Sequence, residues 1–233
     1  MKERKHFLIL AAYMAALRVI GLLWPGQRSF LQAYGDILTA GGVLVTDFFV
    51  VGGIGVTLFN AGLTGGLALL MVLLSKTPLS GPTIAGVFTI AGFALFGKTP
   101  INVWPVILGI FIAARLKKER FRNYIVVALF GTALGPAVSQ VAFGIGWGYA
   151  AGCLAGIIVG MVLPAMASHL LHNHQGFSLY NVGFTCGIVG MYLTAMLRLT
   201  GQQLSTVMIW GREDQWALAA VFFVYFGSMV AIG

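Results

Sequence analysis

GVTLFNAGLTGG at residues 55–66 returns as GFSLYNVGFTCG at residues 176–187, each copy inside a long apolar run. Gly55, Leu58, Asn60, Gly62, Thr64 and Gly66 recur as Gly176, Leu179, Asn181, Gly183, Thr185 and Gly187 at a constant offset of 121 positions. Apolar sequence readily produces chance matches of Gly and Leu, but an Asn and a Thr repeating in register are harder to dismiss. The phrase therefore predicts a duplication, and duplicated membrane chains point to transport with the substrate held between the copies.

The setting of the phrase is a bilayer. Of the 233 residues 59% are hydrophobic and only 9% charged, and the mean hydropathy is +0.93. So little polar surface cannot cover a water-soluble globule. Thirty-two glycines suit close helix packing and interrupted helices. Cys153 and Cys186 lie in apolar runs without metal-like spacing, so no disulfide framework is indicated. The net charge of +8 does not indicate nucleic acid, because five of the fourteen basic residues (Arg115, Lys117, Lys118, Arg120, Arg122) crowd one loop and three more (Lys2, Arg4, Lys5) precede the first apolar run. Such clusters mark cytoplasmic segments of an inner (plasma) membrane protein, and the basic loop is placed to touch anionic headgroups.

A hydrocarbon core of about 30 Å takes roughly 20 residues of helix. Runs of that length are Phe7 to Trp24, Gly53 to Leu74, Tyr124 to Phe143, Trp147 to Ala167, Phe177 to Leu197 and Trp216 to Gly233. The first is too long for an ordinary signal-peptide core and lacks a convincing cleavage site, so it reads as a retained helix. Two shorter stretches, Pro82 to Phe96 and Ile101 to Ala114, flank Gly97-Lys98-Thr99-Pro100. They are either steep spans or a pair entering and leaving from one side. Both choices return the basic loop to the cytoplasm if the amino terminus starts there. The second copy of the phrase then runs opposite to the first, which makes an inverted repeat. Pro25 to Thr46 is more polar and reads as an external amphipathic helix or surface loop.

VTDFFVVGGIGVTLFNAGLTGG, LSGPTIAGVFTIAGFALFGKTPINVWPVILG, FGTALGPAVSQ and HNHQGFSLYNVGF together resemble a prokaryotic family of polytopic membrane proteins known as domain of unknown function 1576. The likeness extends from Val45 to Leu197 and implies a membrane fold, with no established activity. The resemblance also implies a chain roughly twice as long, carrying a further copy of the unit. A shift of 121 places QQLSTV (202–207) opposite GPTIAG, without a match, and the chain stops at VAIG inside an apolar run. These features lead to the expectation of a truncated or split protein whose missing half completes the site. Urea channels, whose repeated halves each give a short helix to a central pore, are a looser analogy resting on repeat logic alone.

Candidate residues follow from the cost of burying polar groups. Asn60 and Asn181 sit in apolar runs, where an unpaired amide costs several kcal/mol. They must bond to each other, to broken backbone or to substrate, unless they simply join helices. Thr64 and Thr185, four residues later, share their faces. Ser80, Gly81 and Thr83 open a short helix whose free N–H groups suit an anion or dipolar solute if it starts at membrane depth, and merely cap a helix if it starts at the interface. Lys98 and Asn102 flank the turn between the short helices, where the lysine either attracts an anion or snorkels outwards. Arg18 and Asp47 are further ionisable candidates. His169 and His172 share a face near His174 and are weak metal candidates, without any local Cys, Asp or Glu. No P-loop, zinc-protease, nucleophile-elbow or dinucleotide fingerprint is present.

The sequence thus predicts a single all-α polytopic domain over residues 1–233, with repeat copies near 47–114 and 169–233 and short broken or re-entrant helices. The expected function is a channel or secondary transporter for a small polar or anionic solute, without cofactor and without catalytic residues. Its partners are the bilayer, the solute, and a second copy or complementary C-terminal half. A non-transporting membrane subunit or membrane-embedded enzyme is the alternative.

Overall fold

The computed structural model describes residues 2–26, 28–41, 46–173, 181–202, 209, 211 and 215–232. Its helices are α1 (Lys2–Leu23), α2 (Phe30–Thr39), α3 (Phe48–Leu74), α4 (Gly81–Phe93), α5 (Pro100–Leu116), α6 (Ile125–Gly131), α7 (Gly135–Ser139), α8 (Tyr149–Asn173), α9 (Asn181–Leu199) and α10 (Gln215–Ile232). Short 3₁₀ turns at Phe121–Tyr124 and Thr132–Leu134 and a π-helical turn at Gln140–Gly144 interrupt them. Among the described residues the one extended pairing is a single bridge between Thr46 and Ile209.

The chain is an all-α, multi-pass membrane protein. Five stretches are long and apolar enough to cross a bilayer: Arg4–Leu23, Phe48–Leu74, Phe121–Gly144, Tyr149–Leu170 and Asn181–Leu199. Gly81–Phe93, Pro100–Leu116 and Trp216–Ile232 are apolar but shorter. The last of these is the run expected to be a sixth full span, and its final residue, Gly233, lies outside the described residues. Leu74, Phe223 and Val224 point outwards, while Asn60, Thr64, Thr132 and Ser139 are buried. Only a lipid solvent makes that distribution favourable, because hydrocarbon offers buried polar groups no partner and apolar side chains no penalty.

Four apolar clusters set the packing, the smallest seating α2 on α3 through Ile37 and Val56. The first joins α1, α3, α4 and α6 through Met14, Leu69, Val87 and Leu129. The second joins α5, α6, α8 and α9 through Ile110, Ala128, Leu163 and Val189. Leu17, Leu58 and Tyr225 tie α10 to α1 and α3. Hydrocarbon drives helices together only weakly, so close backbone approach matters. A Cβ on Gly109 of α5 would collide with the Ile157 carbonyl oxygen and sit 2.9 Å from the Gly160 Cα of α8. Gly109→Val should therefore prise the two helices apart and cost about 1–3 kcal/mol, read as a lower thermal midpoint in detergent. Gly92→Ala, where nothing lies within 4 Å, is the neutral control.

The helix ends fix the relative directions. Leu74 and Lys76 at the end of α3 share a cleft with Arg115 and Lys118 at the end of α5, and α4 begins only a short loop after α3. Hence α4 leaves one end of the molecule and α5 returns to it. Pro105 lies opposite Gly156, and Gly109 opposite Gly160, so α8 runs alongside α5 in the same direction. Pro105 has no N–H for the Ile101 carbonyl one turn earlier; the Tyr149 hydroxyl at the start of α8 donates to that oxygen at 2.8 Å.

Two of the expected spans are present but depart from regular helix. The run Tyr124 to Phe143 is not one uniform helix but changes hydrogen-bonding pattern repeatedly between Ile125 and Gly144. The cause is local: Pro136 cannot donate, and the Thr132 hydroxyl donates to the Leu129 carbonyl at 2.6 Å, competing with the helical ladder. Helix α3 is also broken, since Gly53 has φ 78° and ψ 170°, a conformation that only glycine adopts readily. Asp47 precedes this break. Its carboxylate accepts from the Phe49 and Gly211 N–H groups at 2.9 and 3.1 Å, so it serves as a helix cap.

Candidate functional site

The six residues between α4 and α5, Ala94 to Thr99, are held by three buried side chains outside the turn, Asn60, Asn102 and Thr132. Asn60, in the interior of α3, donates from Nδ2 to the Ala94 carbonyl at 2.7 Å and to the Lys98 carbonyl at 2.9 Å. These oxygens belong to a helix end and a turn, where the backbone has no helical partner to offer them. Asn102, on the first turn of α5, accepts from the Thr99 N–H at 2.9 Å and donates to the Gly97 carbonyl at 2.8 Å and to Ser139 Oγ at 2.9 Å. Lys98 completes the arrangement: its Nζ donates to Thr132 Oγ1 at 2.9 Å and lies 4.8 Å from the centre of the Phe93 ring.

Lys98 is only 1% exposed, so it does not snorkel outwards. Among the described residues no carboxylate lies within ion-pair distance of it; the one ion pair there, Arg28 to Asp36, is exposed. An ammonium has three donors, and Thr132 takes one. Two acceptor-capable atoms beside the turn, Asn60 Oδ1 and Thr99 Oγ1, are buried and unpartnered. The turn therefore holds unspent hydrogen-bonding capacity around a buried amine that has no carboxylate partner among the described residues, a combination that hydrocarbon disfavours.

Lys98 also joins two interruptions of the backbone. Thr132 sits at the 3₁₀ break after α6, so the α4–α5 turn and the α6–α7 break face each other. The second copy of the repeated phrase approaches from the other side, with Cys186 Sγ 3.9 Å from the Phe130 carbonyl. Beyond it, a groove of about 1010 Å³ runs between α9 and the α6–α7 segment, with Leu134, Pro136 and Cys186 in its wall and Arg198 at its edge.

The expected residues separate into groups. Asn60, Lys98 and Asn102 meet at the turn, and Thr64 adjoins them by donating to the Asn60 carbonyl at 2.7 Å. Thr185 repeats that bond to the Asn181 carbonyl at 2.8 Å, but the Asn181 amide donates to Ala167 of α8 at 3.1 Å. The two asparagines thus serve different helices. Residues 176–180 of the second copy lie outside the described residues. Ser80, Gly81 and Thr83 do not join the turn. The Ser80 N–H donates to Thr83 Oγ1 at 2.7 Å, which closes the start of α4, and the 13 residues of that helix put roughly 20 Å between it and Lys98. Arg18 is half-buried between α1 and α3 and donates to the Met14 carbonyl. His169 is exposed at the end of α8, whereas the His172 side chain and His174 lie outside the described residues.

Sequence reasoning missed Thr99, Thr132 and Ser139. A signal for Thr132 exists, because Ala94-Leu-Phe-Gly-Lys98 is echoed by Ala128-Leu-Phe-Gly-Thr132, and the last residues of the two phrases are the ones that bond.

Residues 26–199 match the family described as "Protein of unknown function (DUF1576)", and the chain belongs to that family. Neither the curated proteins nor the solved structures gave a match.

Proposed function

We propose that this member of the DUF1576 family is a channel or secondary transporter for a small polar or anionic solute, and that the α4–α5 turn around Lys98 is its solute site. One observation carries the reading: a lysine buried at the junction of two backbone breaks, with no carboxylate among the described residues within ion-pair distance. A buried ammonium left unpaired is costly, and an ionisable side chain at membrane depth is a functional candidate by default. An arriving anion supplies the missing countercharge and accepts from the Lys98 ammonium and the Thr99 hydroxyl; a polar solute with an N–H or O–H group also satisfies Asn60 Oδ1. Arg198 lines the groove, and its positive charge favours anions along that approach.

In this reading α4 and α5 are a re-entrant hairpin. The 13 residues of α4 reach only about 20 Å, short of the roughly 30 Å hydrocarbon core. The repeat is inverted: α5 and α8 run together, α9 starts beside the end of α8 through the Asn181 to Ala167 bond, and α9 therefore runs against α3. The basic ends of α3 and α5 and the basic amino-terminal segment face the cytoplasm of an inner (plasma) membrane.

A solute screen tests the proposal. Small monovalent anions and neutral polar solutes are titrated against the thermal midpoint of the purified protein, since a ligand preferring the folded state raises it with concentration. The expected hit raises the midpoint of the wild type and not that of Lys98→Met. A stabilisation equal in both proteins would move the site elsewhere.

A further inference from the structure

Helices α3 and α5 end in the same way, with a lysine where glycine is usual. Lys76 has φ 53° and Lys118 φ 58°, the left-handed region that disfavours residues bearing a Cβ. Each occupies the glycine position of a Schellman motif. After α3 the Thr77 N–H reaches the Val72 carbonyl and the Lys76 N–H the Leu73 carbonyl; after α5 the Glu119 N–H reaches Ala114 and the Lys118 N–H reaches Arg115. Cations complement a helix C-terminus, but these two converge on one cleft.

That cleft has a volume of about 940 Å³ and combines two chemistries. Its rim carries Lys76, Arg115, Lys118, Arg120 and Arg122, while Leu67, Leu70 and Leu74 form an apolar wall along α3. Leu70 and Leu74 are 46% and 72% exposed, so no other described helix covers them. The acidic neighbour is occupied, because Glu119 accepts from the Tyr124 hydroxyl at 3.0 Å. Arg115 stands 5.0 Å from the centre of the Phe111 ring, which holds its guanidinium on the cleft side.

The geometry points to a binding site for an anionic phospholipid, with the headgroup phosphate among Lys76, Arg115 and Lys118 and an acyl chain lying along Leu67 to Leu74. A phosphate supplies the negative charge that five cations and one engaged carboxylate lack. A lipid tail supplies the apolar cover that a soluble phosphate cannot. The site lies at the opposite end of α4 from Lys98, so it stands or falls independently of the solute site.

Native mass spectrometry of the detergent-solubilised protein tests it, with dioleoyl phosphatidylglycerol, dioleoyl phosphatidylcholine and glycerol 1-phosphate as probes. Phosphatidylglycerol should bind at least about tenfold more tightly than phosphatidylcholine, and glycerol 1-phosphate only weakly. The double variant Lys76→Gly/Lys118→Gly suits both left-handed positions, so it folds, and it should lose about 25-fold in phosphatidylglycerol affinity at roughly 1 kcal/mol per basic residue. Lys76→Gln/Lys118→Gln, which keeps a polar side chain without the charge, should lose as much. Equal affinity for the two lipids, unchanged affinity in both variants, or glycerol 1-phosphate binding as tightly as the lipid would each overturn the assignment.

Discussion

Asn60→Ala is expected to lower the stability of the protein by about 2–4 kcal/mol, whereas Asn181→Ala should cost only about 1 kcal/mol. The two asparagines occupy equivalent positions of the repeated phrase, so the difference isolates their surroundings. Removing Asn60 strands two buried carbonyls, Ala94 and Lys98, at the α4–α5 turn. The loss of its unpartnered Oδ1 returns a part of the cost. Asn181 is half-buried at the start of α9 and donates to Ala167 near the end of α8, where helix ends tolerate adjustment. Denaturation of both variants in the same detergent measures the difference. Equal losses would mean that Asn60 does not hold the turn.

Lys98→Met should separate stability from function. Methionine has a similar length, fills the same space and removes a buried charge; replacing buried charges by apolar groups of similar volume is often neutral or stabilising by about 1–4 kcal/mol. No orphan is created, because the Thr132 hydroxyl still donates to Leu129. The thermal midpoint should hold or rise. Solute flux should fall at least about a hundredfold, because a site that loses both its charge and a hydrogen bond forfeits about 3 kcal/mol or more of solute binding. A lysine with only a structural role behaves otherwise: its loss lowers stability and leaves flux per folded molecule unchanged.

Much of the fold was legible because run length is a direct consequence of bilayer thickness. The spans within α1, α3, α8 and α9 follow from counting apolar residues, and Gly97-Lys98-Thr99-Pro100 marked the break between α4 and α5. Asn60 stood out because an amide in an apolar run needs a partner, and its partner proved to be broken backbone. The burial of Lys98 was not legible. A lysine in a turn snorkels whenever water is within reach, and only the tertiary capture of that turn by Asn60, Asn102 and Thr132 holds it inside. Nor did spacing show that Ser80 and Thr83 belong to the far end of α4, since the direction of a short helix depends on what it packs against. The irregular path from Ile125 to Gly144 was hidden by a continuous apolar run, although Gly131, Gly135 and Pro136 carried the local reason for it.

The most direct test of the account is solute flux into proteoliposomes, measured by stopped flow for a series of small anions and neutral polar solutes. Wild-type protein, Lys98→Met protein and protein-free liposomes are compared at equal amounts of folded protein. At least one small polar or anionic solute should enter wild-type liposomes far faster than the other two. Rates that are the same in all three for every solute, or the same in wild type and Lys98→Met, would contradict it.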